Sequence, residues 1–94
     1  MKKTTVQVKF PPQFAKFIGN HRQIEFEGDC MGDFINHLET TFGNIKERLF
    51  EEDNRVRPYI NIFIGKKNIA SLEGLKSHVP EGESISLLLS RAGG

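Results

Sequence analysis

The sequence predicts an α+β domain: a mixed sheet of four to five strands with one main helix packed on one face. Three observations carry this. Val6-Val8-Phe10 and Ile24-Phe26 alternate with polar residues, the period-two signature of half-buried strands. Met31 to Phe42 holds a single apolar stripe at helical spacing. Two further alternating runs, Ile60-Ile62-Ile64 and Ile85-Leu87-Leu89, follow the helix.

Taken in order, Thr4 to Phe10 sets Val6, Val8 and Phe10 against Thr5, Gln7 and Lys9. Pro11 and Pro12 stop this first strand. Gln13 to Ile18 fits a short helical turn, with proline allowed at its start and Gly19 closing it, or a plain loop. Ile24 and Phe26, flanked by Gln23, Glu25 and Glu27, form a second strand that Gly28 ends, completing an elongated hairpin. Asp29 is the expected N-cap, its carboxylate at the positive end of the helix. Met31, Phe34, Ile35, Leu38 and Phe42 then share one helical face, with Asp33, Asn36, His37 and Glu39 turned away. Gly43-Asn44 is expected to give a left-handed termination. Ile45 to Phe50 fits one further turn that lays Ile45 and Leu49 on the core, and Glu51 to Arg57 a charged loop.

Pro58 opens the third strand, where Ile60, Ile62 and Ile64 face one way and Tyr59, Asn61 and Phe63 the other. Three β-branched residues on one face favour strand over helix. Gly65-Lys66-Lys67-Asn68 turns the chain, and Ile69-Ala70 gives at most a short fourth strand. Val79-Pro80-Glu81-Gly82 suits a type I turn, with proline second and glycine fourth, and it delivers the chain into the last strand. The chain therefore reads as one domain over 1–94, with a flexible tail over 90–94, Ser90-Arg91-Ala92-Gly93-Gly94.

Composition narrows the function. Eight Phe and a hydrophobic share of 37% suffice for one core in 94 residues, with no room for a second. A single cysteine, Cys30, excludes an internal disulfide; it points to a reducing compartment, and a cytoplasmic protein is expected. Thirteen basic against twelve acidic residues leave a net charge of +1, without the basic stripe of a nucleic-acid binder. No apolar run approaches the ~20 residues of a membrane span. Cys30 sits where a helix dipole lowers a thiol pKa, yet a lone cysteine is more commonly a packing residue. His21, His37 and His78 share no metal-ligand spacing, and no Ser-His-Asp arrangement is supported, so no catalytic or metal site is expected.

What remains is the tail. Gly93 and Gly94 add nothing to a core, but without Cβ atoms they thread a narrow channel and present a carboxylate at its end. A free α-carboxyl has a reference pKa of roughly 3.3 to 3.7, so at neutral pH it is an anion that resists nucleophiles until activated. An adenylating partner using ATP would turn it into a mixed anhydride open to sulfur or an amine. The plain alternative is a loose end with no role.

The element order, with a Gly-Gly end in register after a strand and a proline-glycine turn, resembles the ubiquitin-like β-grasp sulfur carriers of the MoaD/ThiS family over nearly the whole chain. Arg48-Leu49-Phe50-Glu51-Glu52-Asp53, Arg57-Pro58-Tyr59-Ile60-Asn61-Ile62-Phe63-Ile64, Pro80-Glu81-Gly82-Glu83 and Ala92-Gly93-Gly94 are similar to the MoaD-like carriers of sulfur-transfer pathways. The resemblance implies that the chain is a protein co-substrate, not an enzyme. A ubiquitin-activating-type adenylating enzyme would charge Gly94 with AMP, and a sulfur donor would leave a thiocarboxylate there for a sulfur-accepting synthase. Gly93, Ala92 and Arg91 would thread the enzyme's channel. ATP would be used by the partner, with no cofactor bound to the chain, which would be monomeric alone. The same resemblance places the last strand beside the third, so Phe63 and Leu88, extended by Tyr59, form a candidate docking patch away from the helix, unless they lie under a loop. Leu89, where the family pattern leads to proline, and Arg91, at a usually small or apolar position, speak against molybdopterin synthase in particular. Three alternatives stay open beside the carrier: the small subunit of that synthase, a modifier joined to lysines of other proteins, and an interaction module with an incidental tail.

Overall fold

Alternation at the N-terminus becomes β1, Lys3–Lys9, which buries Thr4, Val6 and Val8 and leaves Lys3, Gln7 and Lys9 exposed. The computed structural model describes residues 3–14 and 22–90; the rest of the expected turn after Phe14, and Arg91 to Gly94, lie outside them. Within the described part, Pro12–Phe14 forms a short 3-10 turn whose Phe14 is buried and meets Phe10 edge-on, ring centroids 6.4 Å apart. The strand β2, Gln23–Glu27, runs antiparallel to β1 in the register Thr4↔Phe26 and Val6↔Ile24. The helix α1 spans Met31–Phe42, the single turn α2 Lys46–Leu49, β3 Ile60–Ile64, β4 Lys67–Asn68 and β5 Ser84–Leu89.

The five strands form one mixed sheet in the order β2-β1-β5-β3-β4. β5 lies parallel to β1, with Val8 opposite Ile85, and antiparallel to β3, with Ile62 opposite Leu87. A parallel central pair cannot be joined by a tight turn, and here α1 lies in the crossing. Met31, Phe34, Ile35 and Leu38 from the helix join Val6, Phe26, Ile62, Ile85 and Leu87 from the sheet in one core, and Phe26 and Phe34 pack edge-to-face at 5.4 Å. Ile45 and Leu49 are fully buried, as their spacing predicts. The α+β expectation therefore holds, with five strands in the sheet.

Several local details differ from the sequence expectation. The helix cap is Cys30, not Asp29. Asp29 accepts the amide of Val79 at 2.7 Å through its carbonyl, and Cys30 makes a β-bridge to His78, so both residues are held extended and the helix starts one residue later. Asp33, expected to face away, turns back instead: its Oδ2 accepts the amides of Asp29 at 3.1 Å and Cys30 at 3.4 Å. At the other end Gly43 has φ 77° and ψ 174°, which is positive φ with an extended ψ and not the left-handed helical form.

Asn68 caps a 3-10 turn over Ile69–Ser71 by accepting the amide of Ala70 at 2.9 Å, which moves the fourth strand back to Lys67–Asn68. The proline turn also shifts by one residue. Glu83 donates its amide to Pro80 at 3.2 Å and Gly82, in third place, has φ 80°, the positive φ that type II demands there. Hydrogen bonds from Gly82 N to Thr5 O at 2.7 Å and from Thr5 N to Glu81 Oε1 at 3.1 Å dock that turn on β1 and set the register. The loop after Phe50 is tighter than its charge suggests. Phe50 bridges Val56, Asn54 takes φ 67°, and Arg55 Nε pairs with Asp53 Oδ2 at 2.7 Å.

Candidate functional site

The sheet face turned away from α1 carries the candidate site, at the end where β5 delivers the tail. Side chains alternate across a strand, so burying Ile60, Ile62 and Ile64 turns Asn61 and Phe63 to the opposite face. On β5, Leu88 stands directly across from Asn61 and Ser86 across from Phe63. Phe63 and Leu88 are thus diagonal neighbours, within reach of an aromatic side chain. Leu88 is 54% exposed and Tyr59 45%, whereas Phe63 is half-buried. Among the described residues no loop covers the Leu88 and Tyr59 end of the patch. Leu89 shares the inward face with Ile85 and Leu87, yet it is 37% exposed because it lies opposite Ile60, at the end of the β3 pairing.

Strand pairing continues through Ser90. Its amide donates to the carbonyl of Tyr59 at 2.8 Å, and its Oγ accepts Asn61 Nδ2 at 2.7 Å. Asn61 Oδ1 in turn accepts Asn68 Nδ2 at 3.2 Å. The first of the residues read as tail is therefore fastened to the sheet. Arg91, Ala92, Gly93 and Gly94, the remaining tail positions, lie outside the described residues. The strand register sets Phe63 and Leu88 diagonal to one another, as the sequence reading placed them, whereas Asn61, Asn68 and Ser90 were missed. The available signal was Asn61 itself, an amide set among three isoleucines and one phenylalanine at an outward strand position.

Among the described residues the remaining polar candidates do not assemble into a reactive centre; His21 lies outside them. Cys30 Sγ donates to Asp33 Oδ2 at 3.2 Å. Burial first, then that hydrogen bond and the carboxylate's charge, push the thiol pKa up, outweighing backbone donors that act the other way. The bond from Cys30 and the amides of Asp29 and Cys30 hold the Asp33 carboxyl below its usual value. The shift runs opposite to the one a helix dipole would impose on a reactive thiol. His37 lies 3.4 Å from Thr41 on the exposed side of α1. Among the described residues no three His, Cys, Asp or Glu side chains are placed to hold a metal ion, and no helix is long and apolar enough to cross a membrane. A groove of about 540 Å³ beside Lys66, Leu72, His78 and Glu83 lies at the opposite end of β5 from Ser90.

No protein-family model matches the chain. The sulfur carrier protein CysO of Mycobacterium tuberculosis is 26% identical over 91 residues, 95% of this chain and 98% of the relative. A chain in the crystal structure of the Amycolatopsis orientalis BexX/CysO complex superposes with a TM-score of 0.80 at 26% identity, covering 95% of this chain and 99% of that one. This chain is a homologue of the ubiquitin-like sulfur carriers. The small archaeal modifier protein 3 of Haloferax volcanii is also similar, 25% identical over 92 residues, 95% of this chain and 98% of its own length. The carrier homologue thus has the β-grasp fold expected from the MoaD/ThiS resemblance, and its relatives include a protein named as a modifier.

Proposed function

We propose that this protein carries sulfur as a thiocarboxylate on Gly94, a protein co-substrate and not itself an enzyme. The observation that carries the proposal is the match over 95% of the chain to a sulfur carrier. In the first step, a carboxylate oxygen of Gly94 attacks the α-phosphorus of ATP on an adenylating partner of the ubiquitin-activating type. Pyrophosphate leaves and the acyl-adenylate remains. A sulfur nucleophile then adds to the activated carbonyl and AMP departs. With sulfide this gives the thiocarboxylate directly, without redox change; with a persulfide donor, a thiol must afterwards cleave the acyl disulfide. A sulfur-accepting synthase then takes the sulfur, and the cytoplasm is the place of action.

Each tail residue has a part in this scheme. Gly93 and Ala92 pass a narrow channel because they are small, and Arg91 pairs with acidic groups at its mouth. Tyr59, Phe63 and Leu88 dock the globular body. Intact mass spectrometry of the protein from its native host tests the proposal: a mass gain equal to replacing one oxygen by sulfur is expected at Gly94. Deleting Gly94 should abolish ATP-dependent adenylation, and adenylation that survives the deletion rejects the mechanism. The similarity to a small archaeal modifier protein favours one second use of the same activated end, transfer to lysines. Branched Gly-Gly remnants on other proteins would establish it.

A further inference from the structure

We infer that Asn61 is a positioning residue for the activation step, holding Ser90 so that the tail leaves the sheet in one fixed direction; this rests on the sulfur-carrier proposal. The polarity of the connection is fixed from a backbone group outward. The amide of Ala70 donates to Asn68 Oδ1 at 2.9 Å, which makes Asn68 Nδ2 the end left to donate. That group reaches Asn61 Oδ1 at 3.2 Å, and Asn61 Nδ2 is then turned to Ser90 Oγ at 2.7 Å. Neither amide can flip without setting donor against donor or acceptor against acceptor. The relay crosses β4, β3 and β5 and ends on the last residue whose backbone is seen to pair with the sheet, Ser90 N to Tyr59 O at 2.8 Å.

The position of this clamp matters more than its strength. Four residues, 91–94, separate Ser90 from the reacting carboxylate, a reach of at most about 13 to 14 Å. Over so short a span, the direction of the first peptide decides whether the end lies in line with a channel. A clamp already formed in the free protein spares the enzyme the ordering of Ser90 on binding, and a carrier competent only part of the time binds more weakly by that fraction. Loss of the clamp should therefore raise KM and leave kcat alone, since the seated tail reacts as before.

The test is carrier-dependent pyrophosphate exchange into ATP, catalysed by the host's adenylating enzyme, with full-length protein. Asn61→Ala and Ser90→Ala should each raise KM by roughly three- to tenfold, less than the ~5- to 30-fold for ordering a whole residue because the Ser90 amide keeps its bond to Tyr59, with kcat within about twofold. The double variant should be no worse than either single one, because both remove the same bond, and Ser90→Thr should keep the wild-type KM. Unchanged KM in the single variants, accompanied by a lowered Tm, would mean that the relay only reinforces the sheet and would overturn the inference. Effects that multiply in the double variant would overturn it as well. If wild-type protein drives no exchange at all, the carrier proposal falls and this inference with it; exchange by the wild type with unaltered variants removes the inference alone.

Discussion

Leu88 stands directly across from Asn61 in the pairing of β5 with β3, on the sheet face that α1 leaves uncovered. Its side chain is 54% exposed, Tyr59 beside it 45%. An exposed apolar pair next to the root of a reactive tail gives an enzyme something to hold besides the tail. Leu88→Asp should therefore weaken recognition by tenfold or more in KM, the range of a central interface residue. Stability should change by no more than about 0.5 kcal/mol, as at other exposed sites. Steady-state exchange kinetics beside a thermal melt check both, and an unchanged KM removes Leu88 from the interface.

Gly28 and Asp33 are coupled through space. Gly28 has φ 124°, and a Cβ there would run into the Asp33 carboxylate, the group that accepts the amides of Asp29 and Cys30 at the start of α1. Gly28→Ala meets two penalties at once, backbone strain and loss of the cap. The cost should be about 2 to 4 kcal/mol. In an Asp33→Ala background the cap is already gone, so the same substitution should cost measurably less. Equal costs in both backgrounds, by urea denaturation, would show that backbone strain and the overlap with the Cβ at position 33, which alanine keeps, are responsible and the cap is not.

The Asp33 interaction also fixes a pH dependence. The folded protein holds this carboxyl below its usual value, first through the thiol of Cys30 and then through the amide of Asp29. A depressed carboxyl stabilises the fold fully above its unfolded-state pKa, and the contribution is lost as pH falls through the lower, folded value. Asp33→Asn should thus cost about 0.5 to 1 kcal/mol near neutrality, and the gap from wild type should close in acid. Denaturation midpoints at a series of pH values give the answer, and a gap that widens toward low pH contradicts it.

Much of this architecture was legible in the residues because the apolar periods are unambiguous. Ile60, Ile62 and Ile64 on one side and Met31, Phe34, Ile35 and Leu38 on the other leave little freedom over which faces meet. The misplaced details are those where a distant segment decides. Asp29 has the chemistry of a cap, but Val79 takes its carbonyl and Cys30 pairs with His78. Pro80 to Gly82 has a glycine for either turn type, and docking on Thr5 chooses between them. The patch of Tyr59, Phe63 and Leu88 followed from strand parity plus the family resemblance. The Asn68-Asn61-Ser90 relay did not, because three polar residues separated by up to 29 positions signal nothing until the sheet order is known.

Truncating the core should be costly where helix and sheet meet. Phe34 is fully buried and touches Phe26 edge-on at 5.4 Å, so Phe34→Ala removes both area and an aromatic pair. About 3 to 5 kcal/mol is expected, a large part of a small domain's total stability. Leu72→Ala, at a side chain 39% exposed, should cost under about 1 kcal/mol. Chemical denaturation of the two variants would have to give similar losses for this assignment of the core to be wrong.

Cys30 offers the last contrast, between a reactive thiol and a capping one. Its Sγ lies in a reciprocal arrangement with Asp33, donating to the carboxylate at 3.2 Å while it accepts from the Asp33 backbone. This is a capping box with sulfur in the place usually held by a hydroxyl. Burial and the adjacent carboxylate raise the thiol pKa, so less thiolate is present at pH 7 to 8 than on a free cysteine, and it is the thiolate that reacts. Iodoacetamide should therefore modify the folded protein several-fold more slowly than the urea-unfolded one, and Asp33→Ala should speed the folded reaction. Cys30→Ser, which puts a better acceptor in the same place, should keep or raise stability by up to about 1 kcal/mol and leave adenylation kinetics within about twofold. Fast alkylation of the native protein, or loss of adenylation in Cys30→Ser, would instead mark Cys30 as a participant in sulfur chemistry.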